Sequence, residues 1–410
     1  MTTLLELYQS QGEYNKLLQE CSDNKFYNFK KILSMALSHT RRDSPFGREG
    51  ESLEYVPPTE RSRGLDGKTN STRDTAPPPV EILPEIQSSE EIRNNNSANG
   101  VVDRIKSQYK NYIRVKVLCN WCTPKELCQE WDRMSQGDCK WNNIQITWED
   151  TYIDYYVIIN KPQDMQIYIP EKTIIFHMEP WCYGSEQDWG VKTWGEWAEP
   201  SEKKFLQVRT HKKYHCNGFW QISYDYNTLK KLIPVKRSGN TISTICSSKY
   251  YDPGHIKRVD FIKFLESKNN PSVNVDVYGY DNKLGFKNYK GSIPVNQKEI
   301  GIEPYRYYFI CENNSEHNYM TEKIWEPLLC ESLCFYWGCP NLDDYIDRRA
   351  YIVLNMDNFE EAYQTIQNAI ENNLWEERLP IIRKERQKIL DKYNFFPTLE
   401  GILQSRKINN

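Results

Sequence analysis

Three features of the 410-residue sequence predict an α/β protein of two Rossmann-like lobes facing a cleft, with an extra helical segment at the N-terminus. From about residue 107, short apolar runs alternate with stripes of helical period. Hairpin signals between these runs are few, which favours parallel strands joined by crossovers. The alternation starts afresh near residue 240, so the chain holds two such units. Length agrees: at roughly 150 residues per domain the chain has room for two to three domains, each with a sizeable core.

Residues 1–39 read as a small helical segment. Leu4, Leu5, Tyr8, Leu17 and Leu18 form one apolar stripe, and Phe26, Phe29, Ile32, Leu33, Ala36 and Leu37 a second. The segment is too small to hold a core alone, so it is expected to dock on the body or to bind a protein partner. Residues 40–106 are rich in Pro, Gly, Ser, Asn and charge, with few large apolar residues. Such a stretch cannot offset its ordering entropy and reads as a disordered linker. The first lobe is expected over 107–238, with strands in YIRVKVLCNW, NIQITW, DYYVIIN and TIIFHMEP and a short helix at LCQEWDRM. The second is expected over 239–395. Its strands are TISTICSSK, NVDVYGY, YRYYFICEN, LCFYWG and YIVLNM, and its helices include IKRVDFIKFLESK, TEKIWEPLLCES, FEEAYQTIQNAIENN and WEERLPIIRKERQKILDKY. Residues 396–410 read as a tail.

Composition narrows the function. Lys and Arg number 53 against 56 Asp and Glu, a formal net charge of −3, which argues against bulk nucleic-acid binding. No stretch approaches 18 apolar residues, so no membrane span is expected. The first residues lack a basic region followed by an apolar one, so no secretory signal is expected and the location reads as cytoplasmic. The 28 Tyr and 12 Trp suit the apolar faces of pyranoses, but a compositional bias, in a chain also rich in Asn, Lys and Ile, accounts for them better. Twelve cysteines without a secretion signal read as thiols. Cys119 and Cys122 form a C-x-x-C, followed by Cys128 and Cys139. The only matching His pair, His211 and His215, lies far downstream, so no metal site is assigned.

The most informative stretch is FICENNSEHNYMTEKIWEPLLCESLCFYWGCPN, residues 309–341. A strand carries Glu312 and Asn313 at its carboxyl end. A polar loop then leads through Tyr319 into a helix opened by Thr321, Glu322 and Lys323. A helix N-terminus with a lysine suits a phosphate, Glu322 could accept hydrogen bonds from sugar hydroxyls, and Thr321 could cap. On the residues alone, an ordinary strand–loop–helix with a surface Glu–Lys pair remains an equal reading.

This stretch resembles the signature of glycosyltransferase family 10, the α1,3/α1,4-fucosyltransferases, in which a strand ending F-E-N-S is followed by Y-x-T-E-K-I/L. Here the residues are Cys311-Glu312-Asn313-Asn314 and Tyr319-Met320-Thr321-Glu322-Lys323-Ile324. FYWGCPN and AYIVLNMDNFEEA extend the likeness. Upstream, Ser247, Ser248, Lys257-Arg258 and Val275-Asp276-Val277-Tyr278-Gly279 match more loosely. The resemblance implies a GT-B fold and a GDP-fucose donor. It implies that Arg258 and Lys323 bind the pyrophosphate, and that Glu312, Asn313, Tyr319 and Glu322 belong to the donor site. The chain departs from the family at Glu331-Ser332-Leu333-Cys334, and neither the N-terminal membrane anchor nor the luminal disulfides of many eukaryotic members are expected here, which makes it more similar to bacterial or viral members.

Fucose transfer with inversion is a single displacement through an oxocarbenium-like transition state. It needs a carboxylate to take the acceptor proton and cations for the departing diphosphate. Glu179, at the carboxyl end of the strand TIIFHMEP, is the candidate base, with Glu186 and Asp188 as rivals; His177 reads as structural. Trp181, Tyr183 and Glu186 are candidates for the acceptor side, where a glycan would bind. No D-x-D motif occurs, so no cofactor is required by the residues, which leaves room for stimulation by a divalent metal. The alternatives are the same fold with another nucleotide sugar, or a non-catalytic interaction protein with a degenerate transferase domain.

Overall fold

Consecutive buried residues make the strands. In β1 (Ile113–Leu118) five residues in a row are buried, the pattern of a parallel strand covered on both faces. The computed structural model of the chain describes residues 111–179, 194–237, 239–268 and 270–407. The helical segment expected over 1–39 and the linker over 40–106 lie outside them.

The first sheet adds β2 (Lys140–Trp141), β3 (Ile144–Thr147), β4 (Tyr155–Ile159), β5 (Thr173–Phe176) and β6 (Gln207–Arg209), in the order β2-β3-β1-β4-β5-β6. All neighbours are parallel except the β2–β3 hairpin. Helix α1 (Pro124–Trp131) follows β1. It starts with Pro at its first turn and a capping box in which Thr123 and Glu126 satisfy each other's backbone N–H. Strand order reverses between β1 and β4, which makes the carboxyl ends of these two strands a switch point where α/β sheets bind ligands.

The second sheet comprises β7 (Ile242–Ile245), β8 (Val275–Tyr278), β9 (Tyr289–Gly291), β10 (Tyr307–Cys311), β11 (Leu333–Trp337) and β12 (Tyr351–Val353). It is parallel throughout, in the order β12-β11-β10-β7-β8-β9. This is the doubly wound order, with its switch point between β7 and β10. Helix α2 (Tyr226–Lys231) lies in the connection between the two sheets. Helices α3 (Pro253–Lys268) and α4 (Glu322–Leu329) follow β7 and β10, and α5 (Phe359–Glu371) and α6 (Leu374–Lys388) follow β12. The two-lobed α/β architecture is that of the GT-B fold.

Three local readings change. Strand β5 ends at Phe176, so Glu179 stands on the loop beyond the strand rather than at its end. The short strands β2 and β9 carry too few residues to register as periodic runs. The expected tail is instead helix α7 (Phe395–Lys407). Phe395, Phe396, Leu399, Ile402 and Leu403 recur at helical spacing and are all buried. Phe395 meets Trp131 edge-on at 4.5 Å, and Phe396 stacks on Trp141 at 6.0 Å. Glu400 accepts hydrogen bonds from Trp141 Nε1 at 3.1 Å and Asn142 Nδ2 at 2.9 Å. The last helix thus returns to the first lobe. No helix among the described residues is long and apolar enough to cross a membrane.

Candidate active site

Both switch points open onto one cavity of about 530 Å³ between the lobes. The second lobe contributes Ser247 beyond β7, Arg258 on α3, Asn313 beyond β10 and the start of α4. The first contributes Trp121 beyond β1, Asn160 beyond β4, and Met178 and Glu179 beyond β5.

A glycine brings α3 this close. A Cβ on Gly254 would lie 1.7 Å from the Glu312 carbonyl oxygen, and the Gly254 N–H donates to the Asn313 carbonyl at 2.9 Å. One turn on, Arg258 Nη1 donates to the Cys311 carbonyl at 3.1 Å. The residue is buried and lines the cavity, and its Nε has no hydrogen-bond partner among the described residues. Lys257 turns away, to Asp357.

At the start of α4 the Thr321 hydroxyl accepts from the Lys323 N–H at 3.3 Å, capping the helix. Beneath it, Glu312 is fully buried. Its carboxylate accepts from the Thr321 N–H at 2.9 Å and the Thr321 hydroxyl at 2.6 Å, and Lys323 Nζ lies 3.7 Å away. Glu312 is therefore absent from the cavity wall, unlike the other donor-site candidates. Both of its oxygens are engaged by the cap, beside the lysine.

Asn313, Tyr319, Glu322 and Lys323 all line the cavity with Arg258. Glu322 accepts from Lys323 Nζ at 3.2 Å and from Lys298 Nζ at 3.4 Å. Burial works to raise its pKa, but these two ammonium groups outweigh it and hold the carboxyl at about 2. Lys298 also pairs with the buried Glu326 at 3.3 Å. Burial pushes Glu326 up to about 7, against the pull of Lys298. Glu326 accepts from the Gln221 N–H at 2.6 Å, pinning the connection between the lobes. Lys298 escaped the sequence reading because it stands on a 3-10 turn outside any motif.

Across the cavity, Glu179 keeps its contact with solvent, yet the protein around it raises its pKa. Lys323 and Lys249 oppose that rise, and Glu322 and Asp252 add to it. His211 packs edge-on against the Tyr319 ring at 5.0 Å and bonds the Asn318 carbonyl through Nδ1 at 3.3 Å. His215 instead sits against Trp325 and Tyr393, so the two histidines serve different contacts. His177 is buried. Trp181, Tyr183, Glu186 and Asp188 lie outside the described residues. Among those described, the cysteines are free thiols and no cluster of His, Cys, Asp or Glu is arranged to hold a metal ion. Trp121 and Asn160 were missed; their signal is position, just past strands that flank a switch point.

Residues 238–373 match the family model described as "Glycosyltransferase family 10 (fucosyltransferase) C-term". No curated protein sequence matches the chain. Among solved structures, an α1,3-fucosyltransferase is 15% identical over 70% of this chain and 93% of its own, with a TM-score of 0.36. A structure of an α1,3-fucosyltransferase with GDP-fucose is 15% identical over 69% of this chain and 92% of its own, with a TM-score of 0.37. WaaG, a glycosyltransferase involved in lipopolysaccharide biosynthesis, is 11% identical over 69% of this chain and 100% of its own, with a TM-score of 0.40.

Proposed function

We propose that this chain, a glycosyltransferase whose residues 238–373 belong to family 10, moves fucose from GDP-fucose to a hydroxyl of a glycan acceptor with inversion at the anomeric carbon. The observation that carries the reading is the pairing of Arg258 and Lys323 in the wall of the β7–β10 crevice, with Glu179 on the opposite wall of the same cavity.

In this reading the diphosphate of the donor lies against Lys323, Arg258 and the N–H groups that open α4. A helix N-terminus and two cations favour charge that grows on the leaving group. Asn313, Tyr319 and Glu322 serve the ribose and the fucose. Glu322, held ionised, accepts hydrogen bonds from hydroxyls at any working pH. The acceptor oxygen attacks the anomeric carbon as the bond to the β-phosphate oxygen breaks, and its proton passes to Glu179. The raised pKa of Glu179 makes its carboxylate a stronger base than an ordinary one. Glu312 keeps Lys323 aimed at the crevice.

Titration calorimetry tests the donor side. GDP and GDP-fucose should bind the full chain, and Lys323→Ala should weaken GDP by about 10- to 100-fold, the range for one charge-assisted contact. Absence of heat with either ligand at millimolar concentration would overturn the proposal.

A further inference from the structure

The cavity's first-lobe wall holds a large apolar group that nothing in the donor chemistry uses. Trp121 lines the cavity with 51% of its surface exposed, whereas the neighbouring lining residue Trp131 is 3% exposed. An indole left in water on a concave wall carries a hydration cost that a ligand relieves by covering it.

The loop that presents this ring is braced on both sides. Before it, the buried Cys119 thiol donates to the Cys122 carbonyl at 3.5 Å, and the two sulfurs lie 3.4 Å apart. After it, the Thr123 N–H donates to the Glu126 carboxylate at 2.8 Å, and Thr123 Oγ1 accepts from the Glu126 N–H at 3.2 Å. The C-x-x-C therefore acts as a pair of thiols closing the turn that carries Trp121. A ring held in this way can receive a ligand without ordering first.

The polar groups on the same wall of the cavity define what it takes. Glu130, on α1, lines the same cavity and offers a carboxylate to hydroxyl donors. Glu179 adds a second negative group to this wall. Asn160 is occupied, its side-chain oxygen accepting from the Met178 N–H at 2.7 Å. An apolar face on the same first-lobe wall as two carboxylates fits a sugar ring with a C–H face and free hydroxyls, and on that wall disfavours one bearing a carboxylate or sulfate, the cations of the cavity lying on the second lobe.

We infer that Trp121 is the platform on which an uncharged pyranose of the acceptor stacks, with Glu130 taking one of its hydroxyls. This rests on the transferase reading above and names the class of acceptor unit.

The test uses the full chain with labelled GDP-fucose on a printed array of neutral, sialylated and sulfated glycans. The best-labelled glycan is then titrated in solution. A neutral glycan should label best. Trp121→Ala should raise its KM by about tenfold or more with a smaller change in kcat, and Trp121→Phe should keep KM within about threefold of the wild type. GDP affinity by calorimetry should match the wild type in both variants, which also shows that they are folded. If the wild type labels glycans but Trp121→Ala leaves KM within about twofold, or a charged glycan labels best, the platform is overturned while the transferase reading stands. If the wild type neither binds GDP-fucose nor labels any glycan, the transferase reading falls and the platform with it.

Discussion

Lowering the pH from 7 to 5 should loosen the seam between the lobes through His215. Its ring is 6% exposed and meets Trp325, Tyr345 and Tyr393 edge-on at 5.2, 6.1 and 5.9 Å. Burial depresses its pKa from 6.5 to about 3, partly offset by the Tyr393 carbonyl and reinforced by His211 and Arg209. Above pH 6.5 the ring is neutral in both the folded and the unfolded chain. Below it, the unfolded chain takes a proton that the folded one refuses, so stability is lost as pH falls from 6.5 towards 3. With those two pKa values, the loss between pH 7 and pH 5 is about 2 kcal/mol for this residue. Buried carboxyls act in the opposite sense: Glu326, raised to about 7, favours folding as pH falls from 7 towards 4.5. The wild-type profile mixes both, so a comparison isolates the histidine. Urea unfolding of wild type and His215→Gln at pH 7 and pH 5, followed by circular dichroism, reads it directly. The variant should be less stable at pH 7, yet should lose about 2 kcal/mol less on moving to pH 5. Parallel pH profiles for the two proteins would refute the argument.

Glu179→Gln should cut fucose transfer by about 10²- to 10⁴-fold, the range for a lost general base, while calorimetry finds GDP affinity within about twofold of the wild type. Gly254→Ala should destabilise the chain by about 3 kcal/mol in urea unfolding, because its Cβ meets backbone rather than a movable side chain. Lys298→Met should cost about 3 kcal/mol at pH 8 and less at pH 5.5. It leaves Glu322 and Glu326 without their shared cation, so both carboxyl pKa values rise and stability falls as the pH climbs through them. Equal losses at the two pH values, read from thermal melts, would count against that network. Glu312→Gln should weaken GDP binding by several-fold through Lys323, although the residue itself does not line the cavity.

How much of this was legible in the sequence follows from how local each feature is. Strands such as β4 and β10 are runs of largely buried apolar residues and announce themselves. Thr321, Glu322 and Lys323 are adjacent, so one motif carries the cap, the acid and the cation together. Arg258 could be placed only by likeness, since what brings it to the crevice is the absence of a side chain at Gly254, four residues earlier. Glu312 reads from the motif as a donor-site residue, and nothing local says that its carboxylate turns beneath its own loop to meet Thr321. Lys298 and Trp121 are brought to the cavity by tertiary structure alone, from a 3-10 turn and from the end of an opposing sheet. Helix α7 was missed because its partners, Trp131 and Trp141, lie more than 250 residues upstream.

The return of α7 to the first lobe bears on how the protein is made. The ribosome releases the strands of the first sheet long before Phe395 and Phe396 exist. At about 5–20 residues per second, the surface around Trp131 and Trp141 stays uncovered for the whole synthesis of the second lobe. The first lobe is thus completed only after the second has been made, and a chain stopped short of residue 395 leaves that aromatic surface open to any neighbour.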